Sequence, residues 1–326
     1  MPKPTTTAPD SLADVTDWPK QRKGIHDAVR KLLGKLPKQR VDLQLKTIDE
    51  QDFSGYMRRR VNYFVDDWER ITAWVFIPED AEDAPALLCC HAAVPQGKDE
   101  PAGLDGEPNL ALAKHYAEMG FVTIAPDTIT AGERIVPGKP AYDTSVFYKE
   151  HSKASALGRM YTDHQHAIDA LAEIHQVDDE RIGVIGHDLG AVNALILAAL
   201  DDRIRTCVSS CGITRFAEDP GVSRWIESDG FSALPHLQKA IDDGEFPLDW
   251  EHIIALAAPT PMLLISALND DQLANSASCA TAVESARPIY KGLAAGRAIN
   301  SVSHKKGHTF PYEALAHADE WFDSWL

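Results

Sequence analysis

The sequence predicts an α/β fold built on a mostly parallel central sheet with helices on both faces. From residue 85 onward, short apolar runs alternate with stretches whose apolar residues recur at helical spacing. Those runs are continuously apolar rather than alternating, as in strands covered on both sides. A chain of 326 residues is also long enough to bury the core such a sheet needs.

In chain order, residues 1–20 are polar and contain prolines, and are expected to be a flexible lead-in to one domain spanning 21–326. Ile25, Val29, Leu32, Leu33 and Leu36 then mark a helix that Pro37 ends. Three strand-like segments, "VDLQLKTI" (41–48), "YMRRRVNYFV" (56–65) and "ITAWVFIP" (71–78), predict an antiparallel meander. Arg58, Arg59 and Arg60 fall on its second strand and read as solvated edge charges. Next come strand "PALLCCHA", helix "NLALAKHYAEMG", strand "FVTIAP", a long helix ending near "AIDALAEIHQ", strand "RIGVIG" and helix "AVNALILAAL". Strands "RTCVSSCG" and "PMLLISAL", helix "CATAVESARPIYKGL", a strand near "AINSVSH" and helix "PYEALAHADEWFDSWL" complete the alternation. Two excursions interrupt it, at 128–157 and 213–256, and segments that long between core elements predict lids or binding loops.

The formal charge is −17, from 32 Lys plus Arg against 49 Asp plus Glu, which argues against nucleic acid or an anionic membrane as partner. Residues 1–20 lack the pattern of a secretory signal, and the apolar run 191–200 is too short to span a bilayer. An odd count of five cysteines without such a signal points to a reducing cytoplasm. A small-molecule substrate is the expected partner, and self-association, if it occurs, is expected through the N-terminal helix. No cofactor or metal is called for. His164 and His166 lie two apart on a helix, face different ways and read as a helix-surface pair.

The chemistry centres on "VIGHDLGAV", residues 184–192. A G-x-D-x-G motif is weak alone, but here a buried strand precedes it and a helix follows at once. That setting forces the central residue into a strained turn that lifts its side chain above the sheet. Asp188 occupies the centre. An orienting acid and a histidine should follow in that order. Asp270 and Asp271 stand at the end of "PMLLISALNDD", and His308 stands in the loop "SHKKGHTFP" between the last strand and last helix.

With these residues in place, the chain resembles the α/β-hydrolase superfamily, and within it the dienelactone-hydrolase and acetylxylan-esterase-like branch. The likeness runs from about residue 69 to the C-terminus through "HAAVPQGKDEPAGLDGEPNLALA", "GFVTIAPDT", "DDERIGVIGHDLG", "VNALILAALDDRIRTCVSSCG", "ARPIYKGL" and "GHTFP". It implies an α/β-hydrolase fold, Asp270 as the triad acid, and an oxyanion loop after His91 in which the N–H groups of Ala92 and Ala93 join that of Leu189. The departures are Asp188 for the usual serine, and Ala92 and Ala191 where such relatives often have glycine.

Aspartate changes the expected chemistry. It is ionised without help at neutral pH, and on an acyl carbon it would form a high-energy anhydride. On a saturated carbon with a leaving group it forms an ordinary ester, which water activated by His308 could then cleave at the Asp188 carboxyl. In this respect the site resembles epoxide hydrolases and haloalkane dehalogenases, in which "GHD" turns occur. Leu189 after the nucleophile, where such dehalogenases commonly place tryptophan, favours epoxides over halides. The alternatives are a carboxylic-ester hydrolase using Asp188 as general base, or a non-hydrolytic protein. Tyr142, Tyr148 and Tyr161 are the candidate donors to a leaving oxygen, with packing as their plainer role. His91, Arg224 and Trp225 complete the expected substrate surround, and Phe231, Phe246 and Trp250 suggest an apolar pocket.

Overall fold

The computed structural model describes residues 12, 15–37, 41–246 and 248–326. Most of the lead-in segment 1–20 lies outside the described residues. The strands are β1 (Lys46–Phe53), β2 (Tyr56–Phe64), β3 (Arg70–Pro78), β4 (Ala84–Cys90), β5 (Val122–Pro126), β6 (Val177–His187), β7 (Ile204–Ser210), β8 (Met262–Ala267) and β9 (Ile299–His304). The helices are α1 (Trp18–Leu33), α2 (Leu112–Glu118), α3 (Ser145–Glu150), α4 (Ala156–Ala172), α5 (Leu189–Leu200), α6 (Gln238–Asp243), α7 (Trp250–Ala257), α8 (Ser278–Gly292) and α9 (Tyr312–Trp325).

All the strands join one sheet in the order β1-β2-β3-β5-β4-β6-β7-β8-β9. β1, β2 and β3 form the antiparallel meander and join β5 antiparallel, while β5 through β9 run parallel. Alternation along β4 explains its unbroken apolar run. Leu87 and Cys89 pack with Tyr116 of α2 and Phe322 of α9, whereas Leu88 and Cys90 face the core built with α4, α5, α7 and α8. All five cysteines are buried and free. No helix among the described residues is long and apolar enough to cross a membrane.

The meander departs from expectation in two ways. Val41–Leu45 precede the first strand, which starts at Lys46 and is exposed along its whole length. Its register is set by the tight Ser54–Gly55 turn, where Gly55 has φ 93°, and not by the apolar residues before it. Arg58, Arg59 and Arg60 are therefore on an inner strand and are paired. Arg58 lies over the rings of Phe53 and Trp74, Arg59 meets Glu50 at 3.2 Å, and Arg60 meets Glu133 at 2.6 Å. Helix α1 ends at Leu33, before Pro37, where Gly34 leaves helical geometry at φ 73°; a side chain at that position would also strike the Lys153 carbonyl at 2.6 Å.

The excursions differ in kind. In 128–157, most of the chain forms loops around α3. The last part of 213–256 is the buried helix α7, whose Trp250 stacks on Phe216 and Trp225 at 5.1 and 5.6 Å. Phe246 joins that same aromatic core, stacked on Phe216 at 6.2 Å. The aromatic content that suggested a pocket is thus largely packing.

Helix α5 is buried from Leu189 to Ala199 because the sheet covers one side and α4 and α7 cover others. Leu195, with no exposed surface, sits at its middle. Leu195→Ala should lower unfolding free energy by about 2–5 kcal/mol in denaturant titration. A loss below about 1 kcal/mol would show that α5 is not a core element.

Candidate active site

Asp188 follows β6 and caps α5, with φ 54° and ψ −121°. That conformation is costly for a residue bearing Cβ, and the surrounding backbone holds it. A side chain on Gly186 would overlap the Gly190 backbone, and one on Gly190 would overlap the carbonyl of Cys90 at the end of β4. The two missing side chains let the head of α5 press against the neighbouring strand. Asp188 does not use its carboxylate to cap the helix.

The acid and histidine arrive from the next strand ends. Asp270 follows β8, and its buried carboxylate accepts the N–H groups of Gln272 (2.9 Å) and Leu273 (2.7 Å). His308 follows β9, with Nδ1 2.9 and 3.0 Å from the Asp270 oxygens. Its Nε2 lies 3.6 Å from Asp188 Oδ1. The His308 side chain is 5% exposed, while that of Asp188 is 25% exposed and open to a small molecule. Burial alone would lower the His308 pKa, but Asp188 and Asp270 on its two sides outweigh that and raise it to about 9. Burial likewise works to raise Asp188, yet His308 and the Ala93 N–H prevail and hold it below its ordinary value. Asp270 is lowered in the same way, with His308 again outweighing burial. At neutral pH the trio is an imidazolium between two carboxylates.

The loop after β4 supplies donors, though not as the sequence suggested. Ala93 N–H donates to Asp188 Oδ2 at 2.8 Å. Ala92 N–H does not face the site, because it donates to the buried carboxylate of Glu100 at 3.2 Å. Leu189 N–H heads α5, where the helix offers it no acceptor.

The expected substrate surround is mostly tied up in structure. His91 is buried, and its Nδ1 donates to the Ala92 carbonyl (2.7 Å) while Nε2 accepts the Thr128 N–H (3.1 Å). Those partners assign the neutral Nδ1–H tautomer, in keeping with a pKa lowered chiefly by burial. Tyr142 is near Asp188, but its hydroxyl donates to the carbonyls of Ala92 (3.1 Å) and Val94 (3.2 Å). The Tyr148 hydroxyl donates to the Ser232 carbonyl at 2.7 Å and accepts the Ala156 N–H. Tyr161 reaches the Leu200 carbonyl, at the far end of α5 and about 18 Å along that helix from Asp188. Arg224 is paired with Asp219 and donates to Thr214, and Trp225 is buried against Phe216. His164 and His166 are not on a surface. Both are buried in α4, and burial lowers the His164 pKa to about 3.

Three residues went unnoticed in the sequence. Glu100 gave no signal, since one acid in "QGKDEPAG" looks solvated; burial raises its pKa to about 7. His187 immediately precedes Asp188, with its ring 5.0 Å from that of His308 and Nδ1 3.1 Å from Ser210 Oγ. Burial, then the neighbouring His308, lowers its pKa to about 4, which keeps it neutral. Cys211 follows β7 at φ 52°. Among the described residues, Cys211, Asp270 and His308 form the one His/Cys/Asp/Glu group compact enough to share a metal ion.

The two excursions meet beside this site. Thr144 N–H donates to the Gly230 carbonyl (3.1 Å), Ser232 N–H to Thr144 Oγ1 (3.0 Å), and Tyr142 packs edge-on against Phe231 at 5.4 Å.

The chain is similar to known hydrolases over nearly its whole length. A Bacillus subtilis (strain 168) protein, YtaP, which carries a provisional hydrolase name, is 26% identical over 306 residues, covering 89% of this chain and 96% of that protein. Among solved structures, a glucuronoyl esterase from Solibacter usitatus superposes with a TM-score of 0.80 at 16% identity, covering 99% of this chain and 98% of that one. A promiscuous esterase from a marine bacterial metagenome gives 0.77 at 17% identity, covering 99% and 98%. The sheet order, the strand–turn–helix at Asp188 and these superpositions establish an α/β-hydrolase fold. The Abhydrolase family model matches residues 3–284, and the chain, a hydrolase by that membership, belongs to the Abhydrolase family.

Proposed function

We propose that this hydrolase cleaves a carboxylic ester, with Asp188 as general base, His308 as proton carrier and Asp270 as the acid that orients it. The observation that carries this is the convergence of donors and charge on one point. Ala93 N–H donates to the Asp188 carboxylate, Leu189 at the adjoining head of α5 has an N–H with no acceptor in that helix, and a charged imidazole stands 3.6 Å from the carboxylate. The structures it superposes on are named as esterases, which supports the ester class without selecting one ester.

In the mechanism, Asp188 takes a proton from a water molecule whose oxygen adds to the acyl carbon. The carbonyl oxygen becomes an oxyanion that takes the Leu189 N–H and, as Asp188 is neutralised by the proton it has gained and releases its hold, the Ala93 N–H. On collapse the acyl C–O bond breaks, and the departing alkoxide takes the proton from His308 Nε2. The proton on Asp188 then passes to His308, restoring the ion pair. The products are one acid and one alcohol.

A second reading has its own observation. The oxygen now held by Ala93 N–H is the enzyme's own Asp188 Oδ2, the atom that would become the carbonyl oxygen of an alkyl-enzyme ester. Asp188 would then attack a saturated carbon, an epoxide above all. Alkylation would cancel the Asp188 charge, lower the His308 pKa and free that ring to activate water against the Asp188 carboxyl.

A single turnover in heavy-oxygen water separates the two, after a screen of short-chain aryl esters, epoxides and haloalkanes supplies a substrate. Ester hydrolysis by general base should put the label in the product acid alone, and Asp188→Asn should lower kcat roughly 10²–10⁴-fold. Label in the peptide containing Asp188 would transfer the assignment to the covalent mechanism.

The ion pairs also set a pH dependence. The raised His308 pKa contributes stability that is fully present below its ordinary 6.5 and is lost as pH rises through about 9. The lowered Asp188 and Asp270 values contribute stability above 3.8 that is lost as pH falls further. The Tm difference between wild type and His308→Gln should thus be largest between 3.8 and 6.5 and shrink as pH passes 9. Ester turnover should fall over that same upper limb, since the leaving alkoxide loses its donor. A Tm difference unchanged up to pH 10 would show that His308 is not held charged.

A further inference from the structure

Two buried side chains converge on the peptide unit that joins Ala92 to Ala93, and a third holds the peptide unit just before it. The Ala92 carbonyl accepts His91 Nδ1–H at 2.7 Å, the Tyr142 hydroxyl at 3.1 Å and the Val94 N–H at 2.8 Å. On the other side of the same residue, Ala92 N–H is held by Glu100 at 3.2 Å. In a trans peptide the carbonyl and the following N–H point in opposite directions from one rigid plane. Fixing the Ala92 carbonyl therefore fixes where the Ala93 N–H points, and it points at Asp188 Oδ2, 2.8 Å away.

We infer that Tyr142 and His91 are positioning residues that clamp this peptide plane, that Glu100 fixes the adjoining plane on its N-terminal side, and that together they aim the Ala93 N–H at the reacting atoms. The aim matters to catalysis on the reading that this N–H serves the reaction, as proposed above.

Tyr142 is the informative member because it comes from the excursion rather than from the β4 loop. Its backbone is held at φ 64°, unusual for a residue with Cβ, and its own N–H is anchored on the Thr130 carbonyl at 2.9 Å. The ring is wedged edge-on against Phe231. With its proton directed at the Ala92 and Val94 carbonyls, the hydroxyl is not placed to protonate a leaving group, and burial, the dominant cause, together with Asp188 and Glu100 holds the phenol well above its usual pKa. The excursion thus reaches the reacting carboxylate through one backbone plane.

Tyr142→Phe keeps the ring and its contact with Phe231 and removes only the hydroxyl. The readout is the Ala93 backbone amide in ¹⁵N-labelled protein, which reports the hydrogen bond to Asp188 whether or not a substrate is known. The variant should shift that amide proton upfield and speed its exchange with solvent roughly tenfold or more. Glu100→Ala should do the same, while Glu100→Gln, which keeps an acceptor oxygen, should stay near wild type. Tyr290→Phe is the control, since it removes a buried hydroxyl on α8 that serves the Thr260 carbonyl and should leave the amide unmoved. An Ala93 amide unchanged in both Tyr142→Phe and Glu100→Ala overturns the clamp.

Activity is read separately, on p-nitrophenyl acetate. There Tyr142→Phe should lower kcat about tenfold with KM within about twofold, below the 10²–10³ that outright loss of an oxyanion donor costs. An amide that moves in a protein inactive on aryl esters leaves the clamp standing and counts against the ester reading alone.

Discussion

Gly190 can have no side chain, because the place a Cβ would occupy is taken by the carbonyl of Cys90. That close approach presses the head of α5 against the end of β4, and most of the site's geometry follows from it. Asp188 is forced to φ 54°, its carboxylate stands clear of the sheet, and the turn leaving β4 comes within 2.8 Å of it. Were α5 to sit farther off, by the radius of a methyl group or more, Ala93 N–H and Asp188 could not meet. The position of β4 and β6 beside one another, with β5 on the other side of β4, is what brings these two turns together above the strand ends.

Given that geometry, electrostatics decides what the carboxylate can do. A serine in this turn would be neutral and would need the histidine as a base. Asp188 is already charged and holds His308 as an imidazolium, so proton donation rather than proton removal is the first thing the histidine offers. The head of α5 adds its partial positive charge to the same side, stabilising whichever oxygen carries the negative charge. Hence the protonation states of a serine enzyme cannot simply be transferred, although the fold can.

The parts legible in the sequence were those governed by periodicity and order. Apolar runs in β4, β6 and β8 announced strands covered on both sides, and the order of Asp188, Asp270 and His308 at successive strand ends brought the three side chains together. What could not be read depended on which way a single group faces. Ala92 and Ala93 are the same residue type one position apart, yet one N–H faces Glu100 and the other Asp188, a difference set by side chains at 91, 100 and 142. Arg58–Arg60 looked like edge charges because the strand beside them, Lys46–Phe53, is mostly polar and fully exposed, with only Ile48 and Phe53 apolar. His164 and His166 looked exposed because helical spacing sends them to different faces. In α4 both faces are covered, with Arg134 and Arg159 bringing ion pairs to Asp163 inside the protein.

A further buried ion pair ties together the loops around the site. Asp127, just beyond β5, accepts the Lys98 backbone N–H at 2.9 Å, the Lys98 ammonium at 2.8 Å and the Glu133 N–H at 3.1 Å. Gly97 and Gly132 both pack so closely on that carboxylate that neither could carry a Cβ. One buried acid therefore joins the loop bearing Glu100 to the start of the first excursion. From there the chain continues to Tyr142, which returns to the Ala92 carbonyl, and to Thr144, which binds the second excursion at Gly230. The path closes on itself: strand end, loop, excursion and back to the same loop. A substrate that displaces either excursion must work against this closed set of buried hydrogen bonds, each expensive to leave unmade. The seating of both excursions and the direction of the Ala93 N–H are in this way tied to one connected framework.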